Sequence, residues 1–293
     1  MKSEPIRWTR NFLGSKCPCG SGNIADSCCW RDDGCWEKTP VGKLDVTETA
    51  IVNPSCYLSC MSNCSSKITK EHFISRNILE KLTRDTLKFE NAGHFFRGKS
   101  HVEIGIDGFA SKVLCDKHNS VLSPLDSAAG AAFQRIEELT KDLILADKGY
   151  TLNSFHVVSG IDMERWMIKV FCGLVAAGKI RSTSGRIEQL NSLPSELLEA
   201  LMGATLLQPP LGLYMHTFVG QIRKSGLSFA TIMLSDGSDQ VGGLILSLGL
   251  VNLVLVTSQH YTQTFNEPSW YRHQTLVFNA KHKGSRIRFL FTY

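Results

Sequence analysis

The chain has 293 residues, 43% of them hydrophobic and 20% charged, enough to bury a core without disulfide support. Disorder, collagen and coiled coil are excluded as descriptions of the whole chain, and the length suits about two domains of ordinary size. The formal charge of +5 permits a nucleic-acid partner without arguing for one. Of ten cysteines, all but Cys172 lie between Cys17 and Cys115. The opening MKSEPIRWTRNFLGS lacks the apolar stretch of a secretory signal. The thiols are therefore expected to be reduced, cytoplasmic and metal-binding rather than paired as disulfides.

In chain order, four zones separate by composition. Residues 1–36 are rich in Cys, Gly and Trp and poor in aliphatics, which suits a small knuckle held by something other than an apolar core. Residues 37–55 read as a connector with one short strand. Residues 56–127 hold the second Cys group, two histidine motifs and a helix-like stretch from Ile74 to Leu87. Residues 128–293 read as helices followed by strands. Ala128 to Ala146 and Met163 to Ile180 have helical periodicity, and Leu193 to Met202 starts like a short capped helix. After Pro210 the segments LGLYMHTFV, GLSFATIML, VGGLILSL, LVNLVLV, TLVFN and RIRFLFT predict five or six strands of an antiparallel sheet packed on those helices. Val241 to Thr257 is uncharged but contains Gly249 and Asn252 and follows the turn-like SDGSD. It is read as two buried strands, not a membrane helix, and no membrane partner is expected.

Two sets of residues have metal-ligand spacing. In CPCGSGNIADSCC, residues 17–29, the pairs Cys17/Cys19 and Cys28/Cys29 are separated by a glycine-containing stretch that lets the chain double back around one Zn²⁺. In the second set, Cys115 and His118 have the gap that presents two ligands from one turn. Cys60 with Cys64 can supply the other pair, and Cys56 with Cys60 is an equally spaced alternative. Beside this second site Glu71 and His72 are adjacent, and Asn119 directly follows His118. A histidine base next to a carboxylate and an amide oxygen, donors that suit Mg²⁺ or Mn²⁺, is what phosphodiester hydrolysis requires.

CPCGSG with the terminal CC resembles the SEC-C motif, a zinc knuckle attached to many otherwise unrelated proteins. That resemblance implies docking to a protein partner, although NIADS stands where the family is usually Lys-rich. The segments KITKEHFISRNIL and LCDKHNSVLSPLD resemble the HNH, or His-Me finger, endonucleases with an acidic residue before the base histidine and an Asn after the last zinc ligand. The resemblance spans residues 56–127 and implies an α+β protein containing a ββα-metal unit. It implies His72 as general base, Glu71 and Asn119 as ligands of a catalytic Mg²⁺ or Mn²⁺, and Cys60, Cys64, Cys115 and His118 as structural zinc ligands. Asp126 stands nearest to where the third histidine of the family name would fall. The substrate implied is DNA, with RNA as the second candidate, and a defence or restriction role follows by analogy.

Lys67, Lys70, Arg76, Lys81, Arg84 and Lys88 could line a phosphate track, and GHFFRGKSH at 93–101 sets aromatic beside basic side chains. The competing reading is a solvated helix face with Glu80, Asp85 and Glu90 interleaved. From a different class comes the alternative of a non-catalytic double-zinc adaptor for nucleic acid or protein. His156, His216, His260, His273 and His282 read as structural or surface residues.

Overall fold

The computed structural model describes residues 14–47, 49–83, 86–90, 101–181, 184, 194–216, 227–234, 240–260, 269–279 and 284–293. The fold is α+β, and the chain divides into two compact units that are discontinuous in sequence. Met1–Pro40, Ala131–Ile161 and Arg272–Tyr293 form one, while Val41–Gly130 and Asp162–Tyr271 form the other. Composition alone suggests four consecutive zones; the chain instead leaves the second unit and returns to it. Among the described residues no helix is long and apolar enough to cross a membrane.

In the larger unit, strand β1 (Ile68–His72) and helix α1 (Arg76–Leu82) are followed by a hairpin of β2 (Thr86–Glu90) and β3 (His101–Gly105). Strand β4 (Ala110–Cys115) pairs antiparallel with β1, from Ile68 opposite Cys115 to His72 opposite Ala110. The chain passes directly from Cys115 into helix α2 (Asp116–Asp147). The helix expected from Ile74 to Leu87 stops at Leu82, because Thr83 is extended and the chain turns into β2. Of the aromatic and basic loop expected at 93–101, residues 91–100 lie outside those described.

Helix α3 (Gly160–Ala176) crosses this unit buried almost all round: Trp166, Met167, Ile168, Val170 and Phe171 are inaccessible. A helix apolar on every side belongs inside a core. Its charged residues are therefore all engaged. Asp162 accepts from Val41 N, Glu164 from Leu213 N, and Arg165 donates to the carbonyls of Leu201, Val41 and Gly42. Helix α4 (Ser195–Leu201) buries Leu197, Ala200 and Leu201.

Of the strands expected after Pro210, β6 (Gly212–His216), β7 (Leu227–Met233), β8 (Val241–Leu248) and β9 (Val251–Val256) form an antiparallel sheet with β10 (Ser269–Tyr271), in the order β10-β6-β9-β8-β7. The apolar run from Val241 is thus a buried hairpin, β8 to β9. The last two strands correct the expectation of one antiparallel sheet. In the smaller unit, β11 (Thr275–Asn279) pairs antiparallel with β12 (Arg286–Thr292), and β12 pairs in parallel with β5 (Asn153–Ser159), a strand the periodicity did not reveal.

Gly243 of β8 lies opposite Val256, and a Cβ there would stand 2.0 Å from the Leu255 carbonyl oxygen. Because that neighbour is backbone, it cannot rotate away. Gly243→Ala is expected to lower stability by about 1–3 kcal/mol, read as a fall in denaturant midpoint; an unchanged midpoint would mean that β8 and β9 are not this closely paired.

Candidate metal centres and the buried charge cluster

The first cluster is Cys17, Cys19, Cys28 and Cys29, whose sulfurs lie within 4.8 Å of one another. Gly20 and Gly22 have φ of +78° and +82°, which turns the chain back so that Cys17 N donates to Asn23 O and Ala25 N to Ser15 O. Cys19 Sγ is 3.6 Å from Cys28 Sγ, and Cys28 Sγ is 3.7 Å from Cys29 Sγ. A tetrahedral Zn²⁺ with bonds of about 2.3 Å sets its sulfurs about 3.8 Å apart, so this donor set fits the ion. Hydrogen bonding to Cys29 pulls Cys19 down to about 3, burial lifts Cys17 to about 11, and the bond to Cys19 carries Cys29 well above the thiol range. Such a set suits a cation that lets all four ionise. Cys35 lies outside the cluster but is exposed, so it is not the buried small hydrophobe that its place between Gly34 and Trp36 suggests.

The knuckle is built into its own unit. Val157 N on β5 donates to Pro18 O, and Trp36 packs edge-on to both Trp30 and Phe155 at 5.1 and 5.2 Å between ring centroids. The Arg135 guanidinium lies against Gly20, where a Cβ would come within 2.5 Å of Cζ. There Arg135 is paired with Glu138 of the same helix.

The second cluster is Cys56, Cys64, Cys115 and His118, all buried. This corrects the expected ligand set, because Cys60 is exposed and lies outside the cluster while Cys56, the open alternative, is inside it. Cys60 sits in the 3-10 turn Ser59–Met61, which ends at Ser62 with φ of 53°; Cys56, just before the turn, is 1% exposed. His118 Nδ1 faces the three sulfurs at 3.4, 3.7 and 3.3 Å from Cys56, Cys64 and Cys115. Mixed sulfur and imidazole donors at this spacing also fit tetrahedral Zn²⁺. Ser65 N and His118 N both donate to Cys115 Sγ, and these donors draw its pKa down although burial opposes ionisation. The cluster fastens the segment at 56–64, the end of β4 and the first turn of α2.

The three remaining candidates lie on that stapled hairpin and helix. His72 ends β1; its Nε2 is buried with no hydrogen-bond partner among the described residues, and Asp107 is 3.9 Å away. Burial and the positive charge of Arg76 lower its pKa, so the ring is neutral near pH 7. Asn119 Nδ2 donates to Thr69 Oγ1 at 3.0 Å and to Lys70 O at 3.3 Å. These bonds anchor the amide, and its oxygen carries no donor among the described residues.

Glu71 is engaged elsewhere. It is 4% exposed and forms an ion pair with Lys169 of α3, itself 1% exposed. Lys169 Nζ also donates to both oxygens of Asp126 at 2.9 Å, Ser75 Oγ donates to Asp126 Oδ1 at 2.6 Å, and Trp166 Nε1 donates to Ser75 Oγ at 2.8 Å. Burial, helped by Asp126 and opposed by Lys169, pushes the Glu71 carboxyl up to about 7; the two carboxylates hold Lys169 above its usual value despite its burial. Asp126 therefore serves an internal ion pair. Sequence reasoning missed Lys169, whose one available signal is a lone charge within the apolar run WMIKVFCGLV. His156, one of the histidines read as structural or surface residues, is buried on β5 with Nε2 3.0 Å from the Asp142 carboxylate.

Of the proposed phosphate track, Lys67, Lys70, Arg76 and Lys81 are exposed, with Arg76 paired to Glu80 at 2.8 Å. Arg84 and the Lys88 side chain lie outside the described residues. Comparison with protein-family profiles, with curated protein sequences and with solved structures finds no match to this chain.

The full chain is expected to hold two zinc ions, one per cluster, by elemental analysis. Cys56→Ser should lose about one zinc per chain while Cys60→Ser keeps both. The reverse pattern would restore Cys60 as the ligand.

Proposed function

We propose that the chain is a metal-dependent endonuclease of the HNH type, hydrolysing phosphodiester bonds in DNA, with RNA as the second candidate. The observation that carries this reading is the staple. One four-donor cluster fastens the segment at 56–64, the end of β4 and the start of α2, while β4 pairs with β1, which His72 closes; Asn119 is next to the ligand His118. Rigid support of this kind is what a reaction site needs.

In this reading His72 Nε2 takes a proton from water, the water oxygen attacks phosphorus, and the bond from phosphorus to the leaving sugar oxygen breaks. Its lowered pKa and an Nε2 with no hydrogen-bond partner among the described residues suit a general base near neutral pH. A Mg²⁺ or Mn²⁺ ion at Glu71 and Asn119 would supply neutralisation of charge on the phosphate oxygens. The hard oxygen donors fit such an ion, and the Asn119 oxygen has no competing donor among the described residues. Glu71 becomes available when Lys169 releases it. Exposed Lys67, Lys70 and Arg76 next to β1 support contact with phosphates. Both zinc sites are structural, and a cytoplasmic location accords with so many free thiols. The knuckle could dock a protein partner only through the part of its surface that is not against β5.

A second reading is favoured by the Glu71–Lys169 pair. An internal ammonium at the acidic position leaves a double-zinc adaptor that binds nucleic acid or protein without cutting.

Zinc-loaded protein with Mg²⁺ or Mn²⁺ is expected to nick supercoiled plasmid, and His72→Ala should cut the rate at least about a hundredfold while keeping both zinc ions. Undiminished nicking by His72→Ala would sink the mechanism. No nicking under any divalent ion, with retained plasmid binding, would leave the adaptor.

A further inference from the structure

Lys169 is a buried ammonium with two carboxylate partners that are held very differently. Asp126 accepts from Lys169 through both oxygens and from Ser75, which Trp166 fixes in turn. Glu71 has no donor other than Lys169 among the described residues. Releasing Glu71 therefore breaks one interaction, whereas releasing Asp126 breaks a network. Stripping every partner from a buried ammonium is costly, because it leaves an uncompensated charge in the interior. With Asp126 in place, Lys169 keeps a carboxylate when Glu71 turns away.

The charge count points the same way. Two carboxylates face one ammonium, Glu71 buried and Asp126 with a side chain 26% exposed. The Tyr57 hydroxyl, buried and without a hydrogen-bond partner among the described residues, lies within electrostatic reach of both acids. Asn119, the other candidate ion ligand, is two helical turns from Asp126 on α2, about 10 Å along the axis.

We propose that Lys169 is a built-in competitor for the divalent cation at Glu71, and that Asp126 is the carboxylate that retains the lysine when the cation takes Glu71. The proposal rests on the nuclease reading. It makes the described arrangement a closed state in which the acidic ligand is masked, and it makes cation affinity a property of α3 as well as of the hairpin.

The test is Mn²⁺ binding to full-length, zinc-loaded protein, measured by calorimetry and by the electron paramagnetic resonance of free Mn²⁺, with zinc content and circular dichroism reporting the fold. Lys169→Met is expected to bind Mn²⁺ about tenfold more tightly than wild type, and Asp126→Asn about tenfold more weakly, within the usual range of coupling between sites. The double variant should return to the affinity of Lys169→Met, and Glu71→Gln should abolish binding in every background. A double variant as weak as Asp126→Asn would make Asp126 an ion ligand and overturn its assigned part. Binding that depends on Glu71 but is unaltered in Lys169→Met would overturn the competition and leave the nuclease reading standing. No Glu71-dependent binding in any variant would remove both. Should Lys169→Met fail to fold, Asp126→Asn decides the matter, since it is nearly isosteric and keeps the Lys169–Glu71 pair; wild-type affinity there overturns the proposal.

Discussion

A charge inside a protein core must be answered where it stands. Lys169 imposes that constraint on the larger unit, because its ammonium projects from a helix whose other faces are packed with Trp166, Met167, Val170 and Phe171. The acids that answer it come from β1 and α2, so one ion cluster ties strand β1, the long helix and the central helix together. Pairing of this kind is weak evidence for stability. Its value lies in specificity: Trp166 bonds to Ser75 and Ser75 to Asp126, and this chain has few substitutes once α3 is rotated or shifted along its axis.

The zinc-donor cluster constrains the same elements from the other end. Cys115 closes β4 and His118 lies in the first turn of α2, so an ion there would fix the angle between strand and helix before any side chain packs. The metal cluster and the ion cluster thus grip α2 at His118 and at Asp126, two turns apart. Glu71 and His72 lie between these two points of attachment, on a strand whose position both determine. Adjacent residues on a strand point to opposite faces, which is why Glu71 faces the lysine while His72 Nε2 finds no hydrogen-bond partner among the described residues.

What the sequence made legible is what short-range chemistry determines. Both metal sets follow from close spacing in the chain, and the hairpin from Val241 follows from turn residues and β-branched runs. The choice between Cys56 and Cys60 was not legible, because it depends on which side of one 3-10 turn faces inward. Helix α2 begins at Asp116, well before the periodicity from Ala128, and carries Pro124 inside it. A proline there forfeits a backbone bond and usually breaks a helix, yet Leu122, Leu125 and Ala129 are all inaccessible, so tertiary burial overrides the local preference. The β5–β12 pairing joins strands far apart in sequence and in parallel, a relation that no local pattern encodes. Lys169 was illegible for the same reason: a lone lysine in an apolar helix reads as an exception until its partners are brought up from distant segments.

The N-terminal knuckle shows how a familiar local motif takes its meaning from its surroundings. Strand β5 is at the edge of its three-stranded sheet, where unpaired backbone groups invite association. Pro18 O accepts from Val157 N on that edge, and the cysteine-rich turn, Trp36 and Phe155 share one buried cluster. The knuckle therefore covers a strand that would otherwise be open. A segment too poor in aliphatics to fold alone gains apolar neighbours, and the sheet gains a cap. A knuckle with that duty is a structural part of its unit, and an ion held by its four thiols would secure the cover over the β5 edge as well as the cysteine-rich turn.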